Sequence, residues 1–466
     1  MSARALFVGG TSSNAGKSWM ATAICAWLHA RGVAVAPFKA QNMSNNSYPT
    51  ADGGEIGRAQ VAQAEACGLV PELAMNPILL KPNGNGSSQV ILNGRVWKTL
   101  AAREYYEHVG ELRNHVLGAY EDLSRRFEFI VIEGAGSVGE LNLRAVDLAN
   151  LDLVIRLRAP WILVTDIERG GVFASVLGTV ALLTPEQRVL FRGFVINKFR
   201  GDMTLFDDGV RILEERAGAP CLGVFPYAAD IALDPEDTLA LETRPRRTAP
   251  AGARIAIIRL PCLSNATDFR LLSWAEWIAQ PVPGTFDFVI LPGTKTTIAD
   301  LRWLRETGLA EWVIAQHRGG ATVIGICGGF QMLGRTIRDP SAVESPDAMA
   351  DGLGLLPVDT VMLADKTTVL RTASSRGGVN FRAYEIHLGV TKGDVPMQPF
   401  ARLADGGADG ACGPGVIGTY LHGALENADV CAETFGVEVG AVSKAAHYRR
   451  LGEWFSRYAR LDLFEF

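Results

Sequence analysis

Apolar runs of strand length, each closing on glycine or polar residues, alternate along the chain with helix-length segments. In the first half they are RALFVGG (4–10), FEFIVIEGAG (127–136), WILVTDI (161–167) and RGFVINKF (192–199). Short, near-continuous hydrophobic runs predict strands buried on both faces, and their alternation with helices predicts a parallel sheet. The loops after such strands gather at one edge, where open α/β sheets bind ligands. Around LETRPRRTAPAGAR (241–254) proline, arginine and alanine replace the pattern. It restarts with IAIIRL (255–260), FDFVILPG (286–293), ATVIGICGG (321–329) and GVIGTYLHG (415–423). The prediction is an α/β chain of two doubly wound domains: residues 1–240, a linker at 241–253, and residues 254–466 ending in a helical extension.

Composition narrows the class. A chain of 466 residues exceeds what one core holds, and 48% apolar against 20% charged residues supplies ample core for two. A net charge of −5 gives no basic footprint for nucleic acid, so an acidic substrate needs local cations. The first ten residues read as a strand entering a glycine-rich loop rather than a signal peptide, and no run approaches the roughly 18 apolar residues of a membrane span. Seven scattered cysteines without a CxxC pair predict a reduced, cytoplasmic protein with no zinc knuckle.

Two loops carry chemistry. In FVGGTSSNAGKSWMATAICAWL (7–28) a loop ending Gly16-Lys17-Ser18 joins a strand to a helix. Backbone N–H groups there can cradle phosphates, Lys17 can reach the β- and γ-phosphates, and the Ser18 hydroxyl can ligate Mg²⁺. Thr11 stands where a P-loop has its first glycine, so this is a variant P-loop, with Thr11, Asn14, Gly16, Lys17 and Ser18 as candidate ATP contacts. Glu133, at the end of an apolar strand, is the candidate metal carboxylate. Asp52, in the polar block KAQNMSNNSYPTADGGEIGRAQ (39–60), is a second, and Asn197 is a candidate purine reader. A turn cap or a hydrated loop is the plainer reading of each polar residue.

The second loop is the strand, turn and helix around Cys327-Gly328-Gly329. A cysteine on such a turn is strained into exposure among small neighbours, the helix start favours an anion, and the Gly328 N–H can stabilise an oxyanion. Gly293, in the VILPGTK turn (289–295), offers a second donor. His422 follows a later strand as the candidate base, with His387 in YEIHLG (384–389) as the competitor. Together these make an acyl-transfer site rather than an inert buried thiol.

The elbow, the PG turn and the late histidine resemble the class I glutamine amidotransferase domain, of flavodoxin-like fold. GTSSNAGKS with VIEGAGS resembles the ATP-binding domain of the dethiobiotin synthetase type. Joined in this order, and with KAQNMSNNSY, DGGEIGRAQ, MNPILLKP, DIERGGVFAS, NKFRGD and YEIHLG, the chain resembles the cobyric acid synthases over its whole length. The resemblance implies a glutamine-hydrolysing, ATP- and Mg²⁺-dependent ligase of cobalamin biosynthesis. It would amidate carboxylates b, d, e and g of adenosylcobyrinic acid a,c-diamide through acyl phosphates, with Cys327 and His422 catalytic. Gln41, Asn42, Lys81 and Asp147 are its candidate substrate residues. His422 is followed by Gly423 and Ala424 instead of a third triad acid, which implies a dyad steadied by Glu426 or a backbone carbonyl. The family's Asn-Met-Gly reads Asn150-Leu151-Asp152 here. The rivals are a cobyrinic acid a,c-diamide synthase and, from another class, a partitioning-type P-loop ATPase switch. The switch has no use for an elbow cysteine.

Overall fold

The computed structural model describes residues 3–83, 86–231, 249–250, 253–345, 347–440 and 443–464. The linker expected at 241–253 falls almost wholly outside them. The first half is built on a six-stranded sheet in the order Cys221–Pro226, Phe191–Phe199, Trp161–Asp166, Arg4–Gly10, Phe129–Glu133 and Val35–Phe38, every neighbouring pair parallel. Alternate residues of its central strands feed two cores. Phe7, Ile132 and Leu163 face one, whereas Leu6, Val8, Val131 and Ile162 face the other. That two-sided burial is why these strands read as unbroken apolar runs. The register sets Val8 beside Glu133 and Gly10 beside Val164, so the glycine-rich loop leaves the sheet between its two neighbours.

The second half repeats the plan with Glu276–Ile278, Ile255–Ile258, Phe288–Leu291, Thr322–Ile326, Val416–Thr419 and Ala411–Gly413, parallel except for the last pair. The thiol elbow leaves the end of Thr322–Ile326, and His422 follows the neighbouring strand. Both sheets thus deliver their chemistry at the carboxyl ends of central strands. A long antiparallel hairpin, Thr367–Ser375 with Asn380–His387, stands beside the elbow.

The C-terminal helical extension reaches back to the first domain. Helix Lys444–Tyr458 packs on helix Lys17–Ala30 of the first domain, with Trp454 against Trp19 and Phe225, and Phe455 against Trp27. Gly452 permits the approach, since a Cβ there would stand 3.2 Å from the Ala26 and Trp27 backbone. Among the described residues no helix is long and apolar enough to cross a membrane.

Candidate active sites

The phosphate loop is closed by its own lysine. Lys17 folds back over Gly10 and donates to the carbonyls of Ser12 (3.1 Å) and Gly136 (2.7 Å), which holds a cation beneath the loop. Gly16 sits at φ 103°, and a Cβ there would stand 2.0 Å from Asn197 Nδ2, so only glycine fits. Asn14 also takes a left-handed backbone, with its carbonyl accepting from Lys198 at 2.6 Å. Thr11 is tied into the sheet through its N–H to Val164, and Ser137 caps its carbonyl. Asn197, expected to read a purine, donates its amide to the Ala15 carbonyl at 3.1 Å. Its contact in this structure is with the loop backbone.

Glu133 is fully buried and its Oε1 accepts from Ser18 Oγ and Lys39 Nζ, both at 2.7 Å; Gln63 donates to Oε2 at 2.5 Å. The oxygens of Ser18 and Glu133 form a hard donor set, and the buried Oε1 of Gln63 has no hydrogen-bond partner among the described residues. This set fits Mg²⁺. Asp52 does not join it: it lies exposed at the turn between Ser47–Pro49 and Glu55–Gly57, and its neighbour Gly53 faces the Thr368 carbonyl of the second domain. A polar block reads alike whether its partners are a metal or another domain.

At the elbow, Cys327 holds φ 54° and ψ −111°, a conformation costly for any side chain and of the kind kept at catalytic turns. The elbow backbone is pressed against the PG turn: a Cβ on Gly329 would stand 1.9 Å from the Leu291 carbonyl, and one on Gly328 2.7 Å from Thr294 Cγ2. The Gly293 turn and the Gly328 N–H therefore lie side by side. A Cβ on Gly293 would meet the His422 ring at 2.8 Å.

His422 is completely buried, and its Nδ1 is 2.7 Å from Asp268 Oδ2. The other Asp268 oxygen accepts from the Gly423 N–H at 2.7 Å, which fixes the carboxylate against the histidine loop. Burial alone would lower the imidazole pKa, yet the Asp268 charge and hydrogen bond, and then Cys327, raise it to about 10. Nε2 has no hydrogen-bond partner among the described residues. Asp268 thus fills the role assigned to Glu426 or a carbonyl. Glu426 instead takes Arg58 at 2.6 Å, Lys444 at 3.1 Å and Arg270 at 3.4 Å. His387 is occupied at both ring nitrogens, by Gly389 O (3.1 Å) and Glu385 (3.0 Å), and stacks on Tyr420. Those contacts remove it as a base.

The remaining candidates, Gln41, Asn42, Asp147 and Lys81, have partners within the protein. Gln41 accepts from Tyr105, Asn42 donates to Gln60, and Asp147 spends its oxygens on the N–H groups of Ala149, Asn150 and Asp152. Asn150 in turn clamps Ala135 beyond the Glu133 strand. Lys81 reaches the wall of the Cys327 pocket, bound to Ser47 at 2.8 Å and Glu55 at 2.9 Å.

The block 46–58 is a domain contact. Asn46 Oδ1 accepts from Ala266 N, and Asn265 Oδ1 accepts from Ser47 N, two residues before the shared helical turn reaches Asp268. Tyr48 meets Tyr384 edge-on, Tyr384 stacks on His422, and Arg58 lies over both tyrosines.

Known proteins match this arrangement. Residues 6–241 match the CobQ/CobB/MinD/ParA nucleotide binding domain and residues 254–430 the CobB/CobQ-like glutamine amidotransferase domain. The cobyric acid synthase of Syntrophobacter fumaroxidans is 45% identical over 91% of this chain and 88% of its own. That of Mycobacterium ulcerans is 46% identical over 98% and 95%, and that of Moorella thermoacetica 47% over 91% and 87%. With both domains matched in order and the relatives aligned over nearly their full length, the chain belongs to the cobyric acid synthase family of glutamine-dependent amide ligases.

Proposed function

We propose that the protein amidates the b, d, e and g carboxylates of adenosylcobyrinic acid a,c-diamide, using glutamine and ATP, to give adenosylcobyric acid in the cytoplasm. The observation that carries this reading is the near-full-length similarity to cobyric acid synthases in a chain where a strained thiol, a buried His–Asp pair and a phosphate loop occur together.

In the amidotransferase half, Cys327 Sγ attacks the glutamine carboxamide carbon. The oxyanion forms beside the N–H groups of Gly293 and Gly328, and His422 gives its proton to the departing ammonia. Water then hydrolyses the thioester to glutamate. Asp268 holds the imidazole by Nδ1, which keeps Nε2 for this transfer.

In the synthetase half, a corrinoid carboxylate oxygen attacks the γ-phosphorus of ATP and releases ADP. Ammonia then displaces phosphate from the acyl phosphate. Without this activation the carboxylate oxygen is a poor leaving group. Lys17, released from the Ser12 and Gly136 carbonyls, would meet the phosphates, and Thr11, Asn14 and Gly16 supply the loop backbone. Ser18 and Glu133 would hold Mg²⁺, which neutralises phosphate charge when bound.

The test is to incubate the protein with adenosylcobyrinic acid a,c-diamide or fully acidic corrinoid, ATP, Mg²⁺ and glutamine, and to count amidations by mass. Four on the diamide are expected. Two on the acid substrate and none on the diamide would assign the a,c-diamide reaction instead.

A further inference from the structure

The pocket beside Cys327 is far more charged than thioester chemistry requires. Lys81, Lys295 and Lys366 converge on it with Glu344, around the thiol. Two of the lysines are already answered: Glu55, from the first domain, takes Lys366 on one oxygen and Lys81 on the other. Although burial opposes it, Lys366 and then Lys81 hold the Glu55 carboxyl well below the usual carboxylate range. Lys295 and Glu344 are not answered. Among the described residues neither makes an ion pair within 4.0 Å, although each feels the other's charge. Burial, then Lys366, lowers the Lys295 pKa, and burial pushes Glu344 up to about 7. Glu344 accepts from Ile298 N at 3.1 Å and from Thr297 Oγ1 at 3.3 Å, which leaves a carboxylate on the pocket wall with hydrogen bonds but, among the described residues, no ion pair within 4.0 Å.

One cation and one anion without ion pairs among the described residues, on a pocket that Cys327 also lines, complement an α-amino acid zwitterion. We propose that Lys295, backed by Lys366, receives the α-carboxylate of glutamine, that Glu344 receives its α-ammonium, and that Glu55 and Lys81 of the synthetase domain complete this subsite. The assignment rests on the reading of the pocket as the glutamine site. It makes that site a product of both domains, because Lys366 is held in place by a carboxylate of the other half.

The test compares glutamine with two truncated amides: glutaramate, which lacks the α-ammonium, and 4-aminobutanamide, which lacks the α-carboxylate. Lys295→Met should lower kcat/KM for glutamine at least tenfold, mainly through KM, and leave that for 4-aminobutanamide within about twofold. Glu344→Gln should do the same for glutamine against glutaramate. Ammonia-dependent amidation should be unchanged in both, which also reports folding. Equal losses on whole and truncated amides, or no loss on glutamine, overturn the subsite. Should Glu344→Gln fail to fold because it caps the helix beginning at Thr297, Lys295→Met decides alone. Failure of the glutamine-site reading is separate: it would show as glutaminase activity surviving Cys327→Ala.

Discussion

At the scale of single residues, the amidotransferase site depends on a carboxylate 154 positions before the histidine it serves. Asp268→Asn removes a charge and keeps the shape. The imidazolium loses its main stabilisation, so its pKa falls from about 10 toward the lowered value that burial favours. In the proposed mechanism the protonated ring delivers the proton to ammonia, so activity should be lost as pH rises through that pKa. The alkaline limb of glutaminase kcat/KM should therefore move to lower pH, with a loss on the order of 10²-fold or more at the optimum. Single-turnover glutamine hydrolysis across pH checks both. An unmoved limb with normal rate would return the site to a dyad. Cys327→Ala should abolish glutamine-dependent amidation and retain activity with high ammonia, because in the proposed scheme the synthetase half uses free NH₃ however it is made. Loss of both in a folded variant would argue against two separable sites.

At the scale of elements, what was legible followed from local rules. Strand, turn and helix at Cys327 and at Lys17 are short-range patterns in which the spacing itself states the geometry, and both elbows occur where the runs end. Asp268 was illegible because it lies on a single 3₁₀ turn, Ala266–Phe269, in a stretch with no period and no motif; only the third dimension joins it to His422. The block 39–60 was legible as special but not as to purpose, because asparagines that bind a neighbouring domain and asparagines that bind a ligand have the same chemistry. The last helix was legible as an extension, but its packing on the first domain through an aromatic face was not, because that contact joins residues far apart in the chain. A loop-scale prediction follows from Gly16. Gly16→Ala combines φ 103° with a contact of 2.0 Å to Asn197, so the phosphate loop must reshape. Nucleotide binding, read by titration with an ATP analogue, should fall at least tenfold, and glutamine hydrolysis should persist. Near-normal ATP affinity would mean that this loop does not hold the phosphates.

At the scale of the whole molecule, the two halves share the parts that set the triad. The turn bearing Asp268 is pinned by reciprocal bonds between Asn46–Ser47 and Asn265–Ala266, at 3.3 and 3.0 Å, and Asn265 itself holds a left-handed backbone to make them. The ring above His422 is held by Tyr48 and Arg58, and Arg58 is anchored to Glu426, which Lys444 of the returning C-terminal helix also meets. Removing one of these contacts acts on glutamine chemistry from a domain that never touches glutamine's amide. Asn46→Ala leaves the buried N–H of Ala266 without its acceptor, a cost of about 1–3 kcal/mol, and frees the turn that carries Asp268. Glutaminase kcat should fall about tenfold with KM for glutamine nearly constant, and its alkaline limb should move in the direction of the Asp268→Asn change but less far. Ammonia-dependent amidation should stay within about twofold, because the phosphate loop lies on another part of the sheet edge. The measurement is the pair of pH profiles, one with glutamine and one with ammonia, on the same preparation. An equal fall in both would mean that Asn46 serves only the fold, and an unchanged glutamine profile would mean that the turn stands without its neighbour.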